Sequence, residues 1–190
     1  VIKNTSFIMG PSVKKFETNF AKFNNAKYCI GVGNGTDALE IAIQSLNLPE
    51  NSEIITQSNT FIATALSALN NKYKLRLVDC FRDNFMMDYT KLEDIINKNT
   101  KVIIPVHLYG HCANMDEIIR IANKYNLYII EDCAQAHGCL YKNKIVGTFG
   151  HIGCFSFYPG KNLGAFGDGG GIITNNNKLY ERMLLIRNLG

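Results

Sequence analysis

The chain has 190 residues, 46% hydrophobic and 19% charged, which suits one well-buried core and excludes a disordered or fibrous protein. Its net charge of +4 comes from lysines scattered among acids, so there is no basic run of the kind that tracks nucleic acid, only a weak attraction for a small anion. No apolar run is long enough to cross a bilayer and the first residues lack a signal design, so the expected compartment is the cytoplasm, without a membrane partner.

Taken in chain order, the segments alternate between strand-like apolar runs and amphipathic helix-like runs, the signature of an α/β domain with a mostly parallel sheet. Residues 11–24 place Val13, Phe16, Phe20 and Phe23 at helical spacing; 28–32 read as a short buried strand that ends at Gly33-Asn34-Gly35. Thr36 and Asp37 then open a helix carrying Leu39, Ile41, Ala42 and Leu46. Strands are expected at 53–56, 75–78, 102–106 and 127–130, and helices at 60–69, 88–97 and 114–125. After Glu131-Asp132 the rhythm changes to short runs near Leu140, Ile152 and Ile172 between glycine-rich turns, with a last helix over 178–187. There is no internal repeat and no linker, so residues 1–190 read as one domain.

The six cysteines form no C-x-x-C pair, and several sit in apolar runs, so they read as reduced thiols; no metal site is expected. The chain begins at Val1 without an initiator methionine and stops at Arg187-Asn188-Leu189-Gly190, and both ends read as those of a piece of a longer protein.

Four segments carry candidate chemistry. In Gly31-Val32-Gly33-Asn34-Gly35-Thr36-Asp37 a strand passes through glycines into a helix, so free amides and the positive end of a helix dipole converge on one point suited to phosphate. A tight turn capped by Thr36 or Asp37 accounts for it equally well. In Ile129-Ile130-Glu131-Asp132-Cys133-Ala134-Gln135 two acids stand at the carboxyl end of a buried strand, where α/β sheets place ligands, and a carboxylate there needs a cation or several donors. A protonated pyridine nitrogen would serve Asp132, and Gln135 could reach the same ligand; for an isolated Glu-Asp pair, capping of the next turn is the commoner outcome.

In Phe155-Ser156-Phe157-Tyr158-Pro159-Gly160-Lys161 a lysine lies between an aromatic run and a glycine-rich turn. Burial disfavours a charged lysine and frees its amine to attack a carbonyl, although a solvent-facing lysine is the usual fate of this residue. The apolar flanks favour the buried amine, and Ser156 is a candidate phosphate ligand. Phe61, in Asn59-Thr60-Phe61-Ile62-Ala63-Thr64, could lie flat on a planar cofactor or belong to the core.

Together and in order, G-N-G-T-D-A-L (33–39), N-T-F-I-A-T (59–64), V-H-L-Y-G (106–110), E-D-C-A-Q-A-H-G (131–138) and F-S-F-Y-P-G-K-N-L-G-A-F-G-D-G-G (155–170) resemble the DegT/DnrJ/EryC1/StrS family of sugar aminotransferases. The resemblance runs from Gly10 to Gly190 and implies a pyridoxal-phosphate enzyme of fold type I, with a three-layer α/β/α large domain around a mostly parallel sheet. It implies that Lys161 holds pyridoxal 5′-phosphate as a Schiff base and that Asp132 pairs with its pyridine nitrogen. Gln135 would meet the phenolic oxygen and Phe61 would stack on the ring. Gly35, Thr36 and Ser156 would bind the phosphate, with Asp37 beside them. It further implies glutamate as donor, a nucleotide-linked keto sugar as acceptor, a homodimer, and a smaller C-terminal domain beyond this chain. Dehydrating relatives carry histidine at the lysine position, so Lys161 favours transamination. The motifs look most like enzymes that aminate C3 of dTDP-linked 3-keto-6-deoxyhexoses; C4 amination and a non-catalytic, cofactor-binding regulatory role are the alternatives.

Overall fold

The computed structural model describes residues 1–189. Nine strands and six α-helices follow one another as β1 (Tyr28–Val32), β2 (Glu53–Gln57), β3 (Lys74–Val78), β4 (Thr100–Ile104), β5 (Tyr128–Asp132), β6 (Leu140–Tyr141), β7 (Lys144–Ile145), β8 (Ile152–Ser156) and β9 (Gly170–Thr174), with α1 (Pro11–Phe23), α2 (Gly35–Ser45), α3 (Ile62–Asn70), α4 (Leu92–Ile95), α5 (Met115–Tyr125) and α6 (Asn177–Arg187). Seven strands form one sheet in the order β1-β9-β8-β5-β4-β2-β3, while β6 and β7 make a separate hairpin. β2, β3, β4, β5 and β8 run parallel, β9 is antiparallel to both of its neighbours, and β1 therefore points the same way as the parallel set.

Paired isoleucines explain why this sheet is covered on both faces. Successive strand residues face opposite ways, so each of Ile54-Ile55, Ile103-Ile104, Ile129-Ile130 and Ile172-Ile173 sends one side chain into each layer. Ile54, Ile104, Ile130 and Ile172 pack with Ala38, Ala42 and Ile43 of α2, Ala68 of α3 and Met183 of α6. Ile55, Ile103 and Ile129 pack with Leu92 of α4 and Met115, Ile118 and Ile121 of α5. Ile173 joins Phe155, Phe157 and Phe20 of α1 on that second face. The result is the three-layer α/β/α architecture expected.

Two expected elements differ. Residues 88–97 are not one helix. Asp88 accepts from Thr90 N (3.1 Å) and closes a 3-10 turn over Tyr89–Lys91, and Ile96 turns extended straight after α4, so only the four residues of α4 are α-helical. β4 stops at Ile104 rather than Val106 because Pro105 has no N–H for the ladder; Val106 keeps a single parallel bridge to Asp132. No helix among the described residues is long and apolar enough to cross a membrane.

Candidate active site

The parallel strands deliver their carboxyl ends to one edge of the sheet, the usual ligand edge of such folds. A cavity of about 460 Å³ opens there. Asn34, Gly35 and Thr36 line it after β1, Thr60 and Phe61 after β2, and Val106 after β4. Asp132 and Gln135 come from the end of β5, and Ser156, Tyr158 and Lys161 from the end of β8, with Asp168 completing the wall. A larger apolar groove of about 780 Å³ lies elsewhere, between residues 7–9, α1 and the loop near Leu163. It presents Arg187 as its one ionisable group, and that guanidinium is paired with Glu17 at 2.6 Å.

One corner of the cavity is formed by the N-terminus of α2. Asn34 caps α2 by accepting from Asp37 N (2.8 Å), which leaves the amides of Gly35 and Thr36 as the first-turn donors bordering the cavity, at the positive end of the dipole. Ser156 lies directly against Gly35: a Cβ on Gly35 would sit 2.7 Å from Ser156 Cβ, so only glycine lets these two segments approach this closely. The turn is capped, by Asn34 rather than Thr36 or Asp37, and Gly35 and Thr36 also line the cavity. Asp37 is not among the cavity-lining residues. Its carboxylate folds back on Gly33, and burial, with Glu40 and Asp168 nearby, raises its pKa.

Asp132 is buried, and burial pushes its carboxyl above the usual range. Opposing that shift are a hydrogen bond from Thr64 Oγ1 to Oδ2 (2.7 Å), one from Ala134 N to Oδ1 (3.0 Å), and the positive charge of Lys161. The Ala134 bond means that Asp132 caps its turn and lines the cavity at once. Gln135 accepts from Tyr109 N through Oε1 (2.8 Å), so its amide N–H₂ is the end left to donate to a ligand oxygen.

Lys161 lines the cavity as expected, but not in the apolar setting its flanks suggested. It is half-buried, on a loop held by Lys161 N to Tyr158 O (2.8 Å) and Ala165 N to Phe157 O (2.8 Å), and Leu163 and Phe166 next to it are exposed. The aromatic residues that looked like its surroundings, Phe155 and Phe157, point into the core below, because β8 alternates faces. Phe61, the N-cap residue of α3, stands at the rim with 66% of its surface exposed, so it belongs to the cavity wall and not to the core.

Three buried polar groups beneath the cavity, Glu131, His107 and Thr64, have no role assigned by the sequence motifs. Glu131 and His107 are both fully buried and meet at 3.1 Å. Glu131 Oε1 accepts from Phe149 N (2.7 Å) and Gly150 N (2.6 Å), and Oε2 accepts from Gly147 N (2.7 Å) as well as facing His107 Nε2. Ala113 N donates to His107 Nδ1 (3.2 Å), which fixes the proton on Nε2. Gly147 holds φ at 89°, a backbone state that favours glycine, and this lets the turn before β8 wrap the carboxylate. The same segments grip Asp132: His107 N donates to Asp132 O (3.0 Å) and Asp132 N to Pro105 O (2.9 Å). Cys133 lies close enough to complete a metal-like trio with His107 and Glu131, yet every Glu131 oxygen is already engaged by donors, so the cluster is a satisfied hydrogen-bond network. An acidic pair closing an apolar run was the available signal for Glu131; nothing local distinguished Thr64.

The cavity thus brings an amine, a buried carboxylate, an amide donor, a helix N-terminus and an aromatic rim to one place. Residues 1–190 match the DegT/DnrJ/EryC1/StrS aminotransferase family. The chain is 47% identical over 190 residues to the dTDP-3-amino-3,6-dideoxy-alpha-D-galactopyranose transaminase of Aneurinibacillus thermoaerophilus, covering 100% of this chain and 52% of that protein. It is 45% identical over 187 residues to a pleiotropic regulatory protein of Geobacillus stearothermophilus, covering 98% of this chain and 50% of that one. Among solved structures, S. venezuelae DesV in complex with a ketimine intermediate superposes with a TM-score of 0.96 at 37% identity, over 98% of this chain and 50% of that chain. The Bacillus subtilis protein ntda with bound cofactor PMP gives 0.92 at 34% identity, over 97% and 42%. The chain therefore spans about half the length of the curated relatives it matches. With the motifs, the sheet and the cavity in agreement, the chain belongs to the DegT/DnrJ/EryC1/StrS aminotransferase family.

Proposed function

We propose that the protein acts in a pyridoxal-phosphate-dependent transfer of an amino group from glutamate to a keto group of a nucleotide-linked sugar, with C3 of a dTDP-3-keto-6-deoxyhexose as the acceptor. The observation that carries this reading is the convergence of Lys161, Asp132, Gln135, Ser156, Gly35, Thr36 and Phe61 on one cavity of about 460 Å³. The relative from Aneurinibacillus thermoaerophilus, named as a C3 amino-sugar transaminase, supports the choice of acceptor.

The residues fit the cofactor. Gly35, Thr36 and Ser156 would offer donors to a phosphate, and a side chain on Gly35 would collide with Ser156. Asp132 would offer a buried anion to a protonated ring nitrogen, the Gln135 amide would donate to a ring oxygen, and Phe61 would cover the ring. When bound, pyridoxal phosphate supplies the electron sink for the carbon that exchanges its amino group. Asp132 would keep the ring nitrogen protonated, and Lys161 Nζ would hold the cofactor and move the proton at the reacting carbon. Asp37 supports the phosphate corner from behind, through Gly33.

Residues 1–190 constitute, in this reading, the cofactor-binding large domain of a homodimeric, cytoplasmic enzyme whose relatives are about twice as long. The exposed apolar residues Ile62, Leu66, Leu69 and Leu77 are a surface for such a partner to cover. A regulatory role that retains the cofactor is the second reading, favoured by the name of the Geobacillus stearothermophilus relative; C4 amination is the alternative within the enzymatic one. The test is purification with pyridoxal phosphate, borohydride reduction and peptide mapping, followed by a panel of nucleotide keto sugars with glutamate. Fixation on Lys161 with product amination is the expected result. Fixation without conversion of the bound cofactor by glutamate sinks the enzymatic reading, and no fixation sinks both.

A further inference from the structure

Thr64 lies behind the cavity wall, fully buried in the first turn of α3. Its hydroxyl donates to Asp132 Oδ2 at 2.7 Å. Thr60 Oγ1 lies 2.7 Å from Thr64 Oγ1, and Thr60, unlike Thr64, borders the cavity. An ionised carboxylate only accepts, so the single Thr64 proton is committed to Asp132 and Thr60 must donate to Thr64. The chain thus has one direction: Thr60 to Thr64 to Asp132. The other Asp132 oxygen receives Ala134 N at 3.0 Å, so each oxygen is tied by one donor and the carboxylate plane is fixed, with lone pairs left over on the cavity side. Thr64 is held in turn, since Ser67 Oγ donates to Thr64 O (2.8 Å) and Thr64 N to Phe61 O (3.1 Å).

We propose that Thr64 is a positioning residue for the Asp132 carboxylate: with Thr60 it forms a hydroxyl chain that orients Asp132 and keeps it ionised toward the cofactor's ring nitrogen. The proposal rests on the cofactor reading above. The other groups facing Asp132 are Lys161 of the cavity wall, the His107–Glu131 pair beneath, and the thiols of Cys133 and Cys154. None of them donates a hydrogen bond to its side chain.

The experiment uses the protein loaded with pyridoxal phosphate and follows the visible band of the lysine-bound cofactor against pH, together with cofactor affinity. Borohydride fixation on Lys161 in the unsubstituted protein is measured first, and its absence overturns both this proposal and the cofactor reading. Thr64→Val keeps the shape and removes the hydroxyl. A less firmly ionised Asp132 leaves the ring nitrogen less often charged, so the proton on the lysine–cofactor nitrogen is held to higher pH. Loss of a hydrogen bond to a charged group predicts a midpoint raised by about one pH unit and affinity lowered about tenfold. Thr64→Ser restores both to within about threefold, because it returns the donor. Fixation on Lys161 together with an unchanged midpoint and affinity in Thr64→Val refutes the Thr64 proposal alone. Should Thr64→Val not fold, Thr60→Val decides the matter: a smaller upward shift supports the chain, and none overturns it.

Discussion

Glu131→Gln isolates the hydrogen bonds of the buried network, because it preserves volume and removes only one acceptor oxygen. In the native protein each carboxylate oxygen takes two donors: Phe149 N and Gly150 N on one side, Gly147 N and His107 Nε2 on the other. A glutamine amide has one oxygen, so its N–H₂ must face two donors whichever way it turns. The histidine cannot relieve the conflict by changing tautomer, since Nδ1 already accepts from Ala113 N. Two buried donors are left unmet at about 1–3 kcal/mol each, which gives a loss of about 3 kcal/mol with partial relaxation. At roughly 2–4 °C per kcal/mol for a chain of this size, Tm falls by about 6–12 °C. Thermal melts and urea titrations of the cofactor-free protein read both quantities. A loss under about 1 kcal/mol refutes the assignment of the network as a closed hydrogen-bond unit.

Two further outcomes follow from the same geometry. Burial raises the folded pKa of Asp132, so the folded state binds this proton more tightly than the unfolded chain; the associated stability is present below the unfolded value and is lost as pH rises through the folded one. Asp132→Asn therefore stabilises the cofactor-free protein at neutral pH, with an advantage that shrinks toward acid pH, while weakening cofactor retention; melts at several pH values check this, and a pH-independent difference contradicts it. Cys112 Sγ and Cys139 Sγ lie 3.1 Å apart and are free thiols, with Cys112 pushed up to about 12 by burial and by its bond to Cys139. A mild thiol oxidant is expected to join this pair and no other, faster as pH rises; peptide mapping that finds the link elsewhere, or its persistence in Cys112→Ser, refutes the pairing.

Much of the site was legible before any coordinates because its parts are local. A glycine turn entering a helix, a Glu-Asp pair closing a strand and a lysine in a glycine-rich loop each carry a backbone pattern readable within a few residues, and Gly35, Asp132 and Lys161 from them border the cavity. The helix over residues 88–97 was misread because a side chain, Asp88, replaced a helical turn by a tighter one, and apolar spacing does not register such competition.

The sequence by itself determined the alternating elements, the double-isoleucine strands that demand a layer on each face, and the motifs that place this chain in its family. Tertiary structure alone decided how those motifs are held. Thr64 meets Asp132 across 68 positions, and His107 meets Glu131 across 24. A hydroxyl or an imidazole acquires such a role only when strand order brings it to a partner, and strand order in a parallel sheet is set by the packing of the whole core. The exposure of Lys161 follows from the same cause: its aromatic neighbours in sequence turn to the opposite face of β8, so the apolar flanks that seemed to surround the lysine lie in the core instead.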